Sequence, residues 1–441
     1  MNNTKILCTV GPASIAEKVI RDMYDSGMNA CRINLSYGNF EQYSTIIANI
    51  RKIGDIPIIL DTAGPELRVL NNDAKFEKGD VLDIDVSANI SHVLTKGMTL
   101  LINDGANSAK VTDVNKKKIK ILMENNGILV KNRKLVVKGV NFNLPLLSEK
   151  DVEGLNFAVK KDIDFVAVSF TNSADDIKTV RDKLKNSGVK ILAKIESKLG
   201  VDNFEEILKT CDGVMVARGD LGVEIASERI PLIQKMIIRK CNNAGKPVIV
   251  ATQMMESMIT NNTPTRAETS DVANAVIDGA DTVMLSGETS IGRHPALVVK
   301  AMRKICRLVE ESRITSFDIV KNMHNLITLN AFKIAEELNG KIICLTRSGY
   351  TARMISRFSK ANDIIAVTEN DNVKRQLMIS YGVSPLMHNI GDDNDKVIRI
   401  TRHCLNNKII KKDDVIVFVA GLFLKNTTNT IIVYKAGELV A

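Results

Sequence analysis

Tryptophan is missing from this 441-residue chain, and aromatic residues make up only 4% of it. A core with so few rings must be built from Val, Ile and Leu, as the buried strands of parallel sheets are. Long apolar runs are missing too. No stretch approaches the roughly 20 apolar residues that cross a bilayer, and residues 1–9 contain no signal-peptide apolar region, so no membrane partner is expected. Cysteine is sparse and unpatterned: the seven are odd in number and form no CxxC pair. That argues against a disulfide scaffold or a zinc site and for reduced thiols in a cytoplasmic protein. Also absent is a GxxxxGK[ST] loop, so any nucleotide is not held in the P-loop manner. The one excess is positive charge, +9. Because Lys and Arg are dispersed without interleaved aromatics, this points to an anionic small substrate and not to nucleic acid.

A chain of this length holds two or three domains. The most informative stretch is residues 189–222, where the runs KILAKIE and GVMVARGD each end in opposite charges two residues apart: Lys194 with Glu196, and Arg218 with Asp220. Read as strands, each pair points one way. The helical stretch VDNFEEILKTC between them makes a β-α-β crossover with parallel strands. The same rhythm runs through most of the chain. TKILCTVG, NACRINLS and IPIILDTAGP are three strands separated by helices; IDFVAVSF, the two runs above, PVIVATQM and DTVMLSGET continue the series. Eight strand–helix units predict a (β/α)8 barrel over residues 1–65 and 140–312, with an open doubly wound sheet as the alternative. Residues 66–139 break the rhythm with short alternating segments (VLDIDV, MTLLIND, AKVTDV, KKIKILM, KLVVK), which predict an inserted small β-barrel that acts as a lid over the mouth. Residues 313–441 alternate again (KIICLT, DIIAVT, VIVFVAG, TIIVYK) and predict a separate three-layer α/β domain.

A barrel keeps its functional groups at the C-terminal ends of its strands, and polar residues gather there in this sequence. Strand two ends in Arg32, Asn34 and Ser36, strand three in Asp61 and Thr62, strand five in Lys194 and Glu196. Strand six ends in Arg218 and Asp220, strand seven in Thr252, strand eight in Ser286 and Glu288. Glu196 and Asp220 offer hard oxygens for Mg²⁺. Lys194, Arg32 and Arg68 surround the same space with the positive charge that a phosphoryl group in transit requires. Asn34, Ser36, Asp61 and Thr62 make a cage for a monovalent cation. The backbone N–H groups of Gly219 and Asp220 would hold a substrate carboxylate if a helical turn begins there.

The segments KILCTVGPAS, CRINLS, LDTAGPELR, KGVN, AKIES, DGVMVARGDLGVEI, GKPVIVATQMMESM and PTRAETSDVANAVIDGADTVMLSGET resemble the pyruvate kinase family from residue 4 to about 310. The resemblance implies transfer of phosphate from phosphoenolpyruvate to ADP, giving pyruvate and ATP, with Mg²⁺ (or Mn²⁺) and K⁺ as cofactors. By the same resemblance Lys194 and Arg32 handle the phosphoryl group, Glu196 and Asp220 ligate Mg²⁺, and Asn34, Ser36, Asp61 and Thr62 hold K⁺. Thr252 joins Gly219 and Asp220 at the carboxylate, Ser286 and Glu288 serve the protonation of enolpyruvate, and Asn34, Arg68 and Lys138 are the candidate nucleotide contacts. Glu66 matches the acidic residue of potassium-dependent members. Tyr37, Ala63, Ser197 and Asn103 depart from the family pattern near the nucleotide and the lid. A phosphorylated effector at Thr346, Arg347, Ser348, Gly349 and Thr351, where TRSGYT opens a helix, competes with a plain helix cap. A homotetramer is implied by resemblance only. Two other readings stay open: a Mg²⁺-dependent aldolase or lyase handling an enolpyruvate-like intermediate, and a non-catalytic regulatory relative.

Overall fold

The computed structural model describes residues 3–440 apart from residues 66, 89, 91–92, 104, 116–117, 132, 138–143, 186, 313–321, 359–363, 392–394 and 422–427. Glu66 and Lys138 therefore lie outside the described residues. Eight parallel strands close into a barrel: β1 (Lys5–Thr9), β2 (Ala30–Asn34), β3 (Ile58–Asp61), β4 (Phe165–Val168), β5 (Lys190–Ile195), β6 (Gly213–Ala217), β7 (Val248–Ala251) and β8 (Thr282–Leu285). Their neighbours in space follow chain order, and β8 returns to pair with β1.

The period of two along each strand divides the apolar residues between two cores. Leu7, Ala30, Ile59, Ala167, Leu192, Met215, Ile249 and Met284 fill the barrel interior. Their sequence neighbours Ile6, Cys31, Leu60, Ile191 and Val250 pack outward against the helices. Continuing the inward rank two residues past the apolar layer reaches Thr9, Arg32, Asp61, Ser169 and Lys194. The polar floor of the mouth is thus the next layer of the barrel core, written on the same strand faces.

The insertion between β3 and β4 is an antiparallel six-stranded sheet with a separate two-stranded ribbon. A bridge from Val69 to Val86 draws the ends of the sheet together, so it curls around its own apolar core. Both legs of the insertion meet at one buried carboxylate. Asp151 accepts from the amides of Ala63 (2.7 Å) and Gly64 (3.2 Å) on the way out, and from Ser148 N (3.0 Å) and Oγ (2.8 Å) on the way back. Ser148 and Asp151 form the capping box of the helix Glu149–Lys160.

The C-terminal domain holds five strands, β9 (Lys341–Leu345), β10 (Ile364–Thr368), β11 (Val383–Met387), β12 (Val415–Ala420) and β13 (Thr430–Lys435), in the order β11-β10-β9-β12-β13. Only β13 runs antiparallel to its neighbour, and separate apolar clusters cover the two faces. The segment before β11 plugs the barrel floor. Ile379 joins the interior core, Thr282 Oγ1 donates to its carbonyl (2.8 Å), and Tyr381 N donates to Asp281 (3.0 Å).

Three expectations are corrected. The lid carries short strands at Leu67–Arg68, Ala74–Phe76 and Gly127–Leu129 beyond the segments read from the sequence, and β11 was not expected as a strand. The crossover after β5 is two short helices, Lys198–Asp202 and Phe204–Thr210. The charged ends of β6 and β8 are not extended: Arg218–Glu224 and Gly287–Ser290 are helical. A helix turns about 100° per residue, so Arg218 and Asp220 point to different places.

Candidate active site

A cavity of about 1070 Å³ lies between the C-terminal ends of the strands and the lid. At its floor Lys194, on β5, is the hub. Its ammonium lies 2.9 Å from Asp61 Oδ1 and 3.0 Å from Glu196 Oε1, and it donates to Ser169 Oγ at 2.6 Å. The other Asp61 oxygen accepts from Arg32 Nε at 2.6 Å, and Arg32 Nη1 donates to Thr9 Oγ1 at 3.1 Å. Burial works against the charge on Lys194, but Asp61 and Glu196 outweigh it and hold the ammonium above the usual lysine value. Burial likewise opposes Asp61 ionisation, while Arg32 and Lys194 pull its pKa below the usual carboxylate value. Lys194 is therefore a fixed positive charge and no proton donor at neutral pH.

Glu196 and Asp220 meet at the side of this hub. Glu196 Oε2 accepts from Phe170 N at 2.7 Å, in a turn where Phe170 takes a φ of 52°. Asp220 pairs with Lys134, a lid residue. Burial, together with the Asp220 charge and against the pull of Lys194, lifts Glu196 to about 7. Asp220 moves the other way: burial is overcome by the charge and hydrogen bond of Lys134. A buried carboxylate, Glu196, and a half-buried one, Asp220, side by side make a donor set suited to a cation.

Thr252 follows β7 in a left-handed conformation, φ 67°, as does Gln253 at 53°. Its hydroxyl accepts from Gly219 N at 2.8 Å and donates to Ala251 O at 2.6 Å. Arg218 turns away from the cavity pair expected for it. It binds Asp271 at 2.6 Å and the carbonyls of Thr252 (2.7 Å) and Gln253 (3.0 Å), which props up the strained turn. Glu288 accepts from Ser286 N (2.7 Å) and Met255 N (3.1 Å), and burial raises its pKa. Ser286 Oγ is buried at the cavity wall with no hydrogen-bond partner among the described residues.

Of the residues singled out from the sequence, Arg32, Asn34, Ser36, Thr62, Arg68, Lys194, Glu196, Gly219, Asp220, Thr252, Ser286 and Glu288 all line this one cavity. Asp61 does not: it is fully buried beneath it as the counter-ion of Arg32 and Lys194. Ser169, Thr9 and Lys134 were missed. Ser169 and Thr9 carry a readable signal, lying two residues beyond Ala167 and Leu7 on inward faces; Lys134 carries none, since its role needs the lid's position.

The TRSGYT segment fits neither expectation fully. Gly349 starts a seven-residue helix, Tyr350–Ser356, without any side-chain cap. Thr346 is buried, and Thr351 bonds Thr428 at 2.8 Å. Arg353 covers Ser348 O at 3.3 Å, while Arg347 and Ser348 are exposed.

Comparison with known proteins decides the family. The family description "Pyruvate kinase, barrel domain" matches residues 1–299, and "Pyruvate kinase, alpha/beta domain" matches residues 325–434. The chain belongs to the pyruvate kinase family. A pyruvate kinase of Bacillus licheniformis is 39% identical over 480 residues, covering 100% of this chain and 82% of the relative. One from Dictyostelium discoideum is 38% identical over 481 residues, 99% of this chain and 95% of the relative. One from Staphylococcus aureus is 36% identical over 488 residues, 100% and 82%. Like these pyruvate kinases, the chain is a phosphotransferase of a metal-dependent family. Among the described residues no helix is long and apolar enough to cross a membrane.

Proposed function

We propose that the cavity transfers the phosphoryl group of phosphoenolpyruvate to ADP through the residues at its floor. The observation that carries this reading is the hub at Lys194, which joins Asp61, Glu196 and Ser169 in a single buried network with Arg32 alongside. Arg32 and Lys194 present fixed positive charge to a phosphoryl group whose equatorial oxygens gather negative charge in transit. Thr252, with the amides of Gly219 and Asp220, orients the substrate carboxylate. Asn34 and Arg68, on the cavity wall, would contact the nucleotide, with Lys138 a third candidate by resemblance alone. After transfer the enolate needs a proton on carbon, and the Ser286 hydroxyl beside Glu288, unpartnered among the described residues, would take part in its delivery.

Glu196 and Asp220 would hold Mg²⁺ or Mn²⁺, which when bound draws the phosphate oxygens together and offsets their charge. Asn34, Ser36 and Thr62 offer neutral oxygens for K⁺ above the Asp61 carboxylate, and Glu66 supports that dependence. The reduced cysteines support a cytoplasmic setting, and the family resemblance supports a homotetramer, which sedimentation would test. A phosphorylated effector at TRSGYT would use exposed Arg347 and Ser348.

The deciding experiment is pyruvate release from phosphoenolpyruvate, with ADP, Mg²⁺ and K⁺ omitted in turn. Loss of turnover without each is expected. Turnover independent of ADP would favour the lyase reading, and activity without K⁺ would remove the monovalent site. An inactive wild type would favour the regulatory one.

A further inference from the structure

The lid supplies the cavity with a cation that has no place in the roles above. Lys134 opens the lid strand Lys134–Val137, which pairs beside Arg68, and its ammonium crosses the mouth to the Asp220 carboxylate on the barrel. On its other side the ammonium lies 4.3 Å from the centre of the Phe170 ring, the residue whose N–H holds Glu196. The Lys134 side chain is 13% exposed, whereas Lys131 and Arg133 on the same turn are exposed. Lys134 is therefore seated between barrel groups and is not a solvated lid lysine.

The seat is the one a divalent ion would use. An ammonium and a divalent cation compete for the Asp220 oxygens, because two positive charges a few ångströms apart beside one carboxylate repel. We propose that Lys134 is a tethered cation that holds Asp220 in the ion-free protein and must leave it before a divalent ion can bind, so that lid position and ion loading are coupled. This rests on assigning Glu196 and Asp220 to that ion. Coupling of this kind is reciprocal: whatever ion affinity Lys134 costs, the ion costs the lid in attachment.

The test is Mn²⁺ binding to the whole substrate-free chain, read from the spin-resonance signal of the free ion. Lys134→Gln should tighten Mn²⁺ about tenfold, equivalent to about 1.4 kcal/mol. Lys134→Arg, which keeps the charge, should stay within about twofold of wild type. So should Lys131→Gln, which removes a cavity-lining charge that bonds Asn72 on the lid itself. A Lys134→Gln affinity equal to wild type, or an equal tightening by Lys131→Gln, overturns the inference. Asp220→Asn separates the two claims. If it weakens Mn²⁺ strongly while Lys134→Gln changes nothing, only the tether fails; if it leaves binding untouched, the ion assignment itself fails. Should Lys134→Gln not fold, hydrogen exchange in wild type serves instead: Mn²⁺ should speed exchange in residues 134–137, and no change would overturn the proposal.

Discussion

Lys194 touches two buried carboxylates and a hydroxyl, so its removal has two effects that can be measured apart. Lys194→Met should lower turnover by about 10²–10³-fold or more, as losing a donor aimed at transition-state charge does. It should also lower the urea midpoint, because Glu196 loses its cation and Asp61 keeps Arg32 as its one cation among the described residues; breaking such a pair costs about 3–5 kcal/mol. A variant with a normal midpoint and full turnover would remove Lys194 from the centre of the site. The cysteines make a second prediction at this scale. All seven are free and buried, and desolvation is the first cause raising each thiol above its usual value, Cys31 and Cys344 to about 12 and Cys211 and Cys404 to about 11. Thiolate is therefore scarce at pH 8, and a thiol reagent should label the native chain far more slowly than the urea-unfolded one. Rapid labelling of even one native thiol would contradict the burial.

At the scale of elements, the strand faces made most of the floor legible in advance. Two-residue spacing takes Leu192 to Lys194, Ile59 to Asp61 and Ala30 to Arg32, and that arithmetic holds as long as the backbone stays extended. It fails at β6 and β8, where a helix begins one or two residues after the strand ends, at Arg218 and Gly287. There Arg218 leaves the pair with Asp220 and becomes the support of a left-handed turn instead. The sequence leaves a helical turn at Gly219 and Asp220 open, but nothing local in VARGDLG says that it begins as early as Arg218. Arg218→Met should raise KM for phosphoenolpyruvate more than it lowers kcat, because Thr252 loses its support while Lys194 and Glu196 are untouched. Steady-state kinetics with an unchanged KM would place Thr252 outside substrate binding. The lid shows the opposite limit: its alternating strands are readable, yet the meeting of Lys134 with Asp220 depends on how two separate bodies pack, which no local pattern records.

For the whole molecule, the seam between barrel and C-terminal domain is built from charge as well as apolar surface. Arg375 binds Asp164 at 2.5 Å and Asp162 at 2.7 Å, and Arg51 reaches Asp164 from the barrel side at 3.2 Å. Lys5, buried at the start of β1, donates to Val383 O at 3.0 Å. Arg375→Ala leaves the buried Asp164 with Arg51 as its one remaining cation among the described residues, beside the Ile58 amide, a loss of up to about 3–5 kcal/mol. A single unfolding transition should then split in two, with the C-terminal domain melting first; calorimetry showing one unshifted transition would refute this. Composition and rhythm announced both domains, but not that Ile379 enters the barrel floor, since a lone isoleucine looks the same wherever it is buried.

Asp151 grips the outgoing and returning legs of the lid with one carboxylate, and it does so on a helix that belongs to the barrel. With Lys134 on Asp220 as the second fastening, the cover is a door that swings on its pin once that latch lifts, without warping its frame. The charged floor can keep its spacing while the cover changes angle, length or sequence, and selection is free to rework substrate closure without reopening the chemistry beneath it.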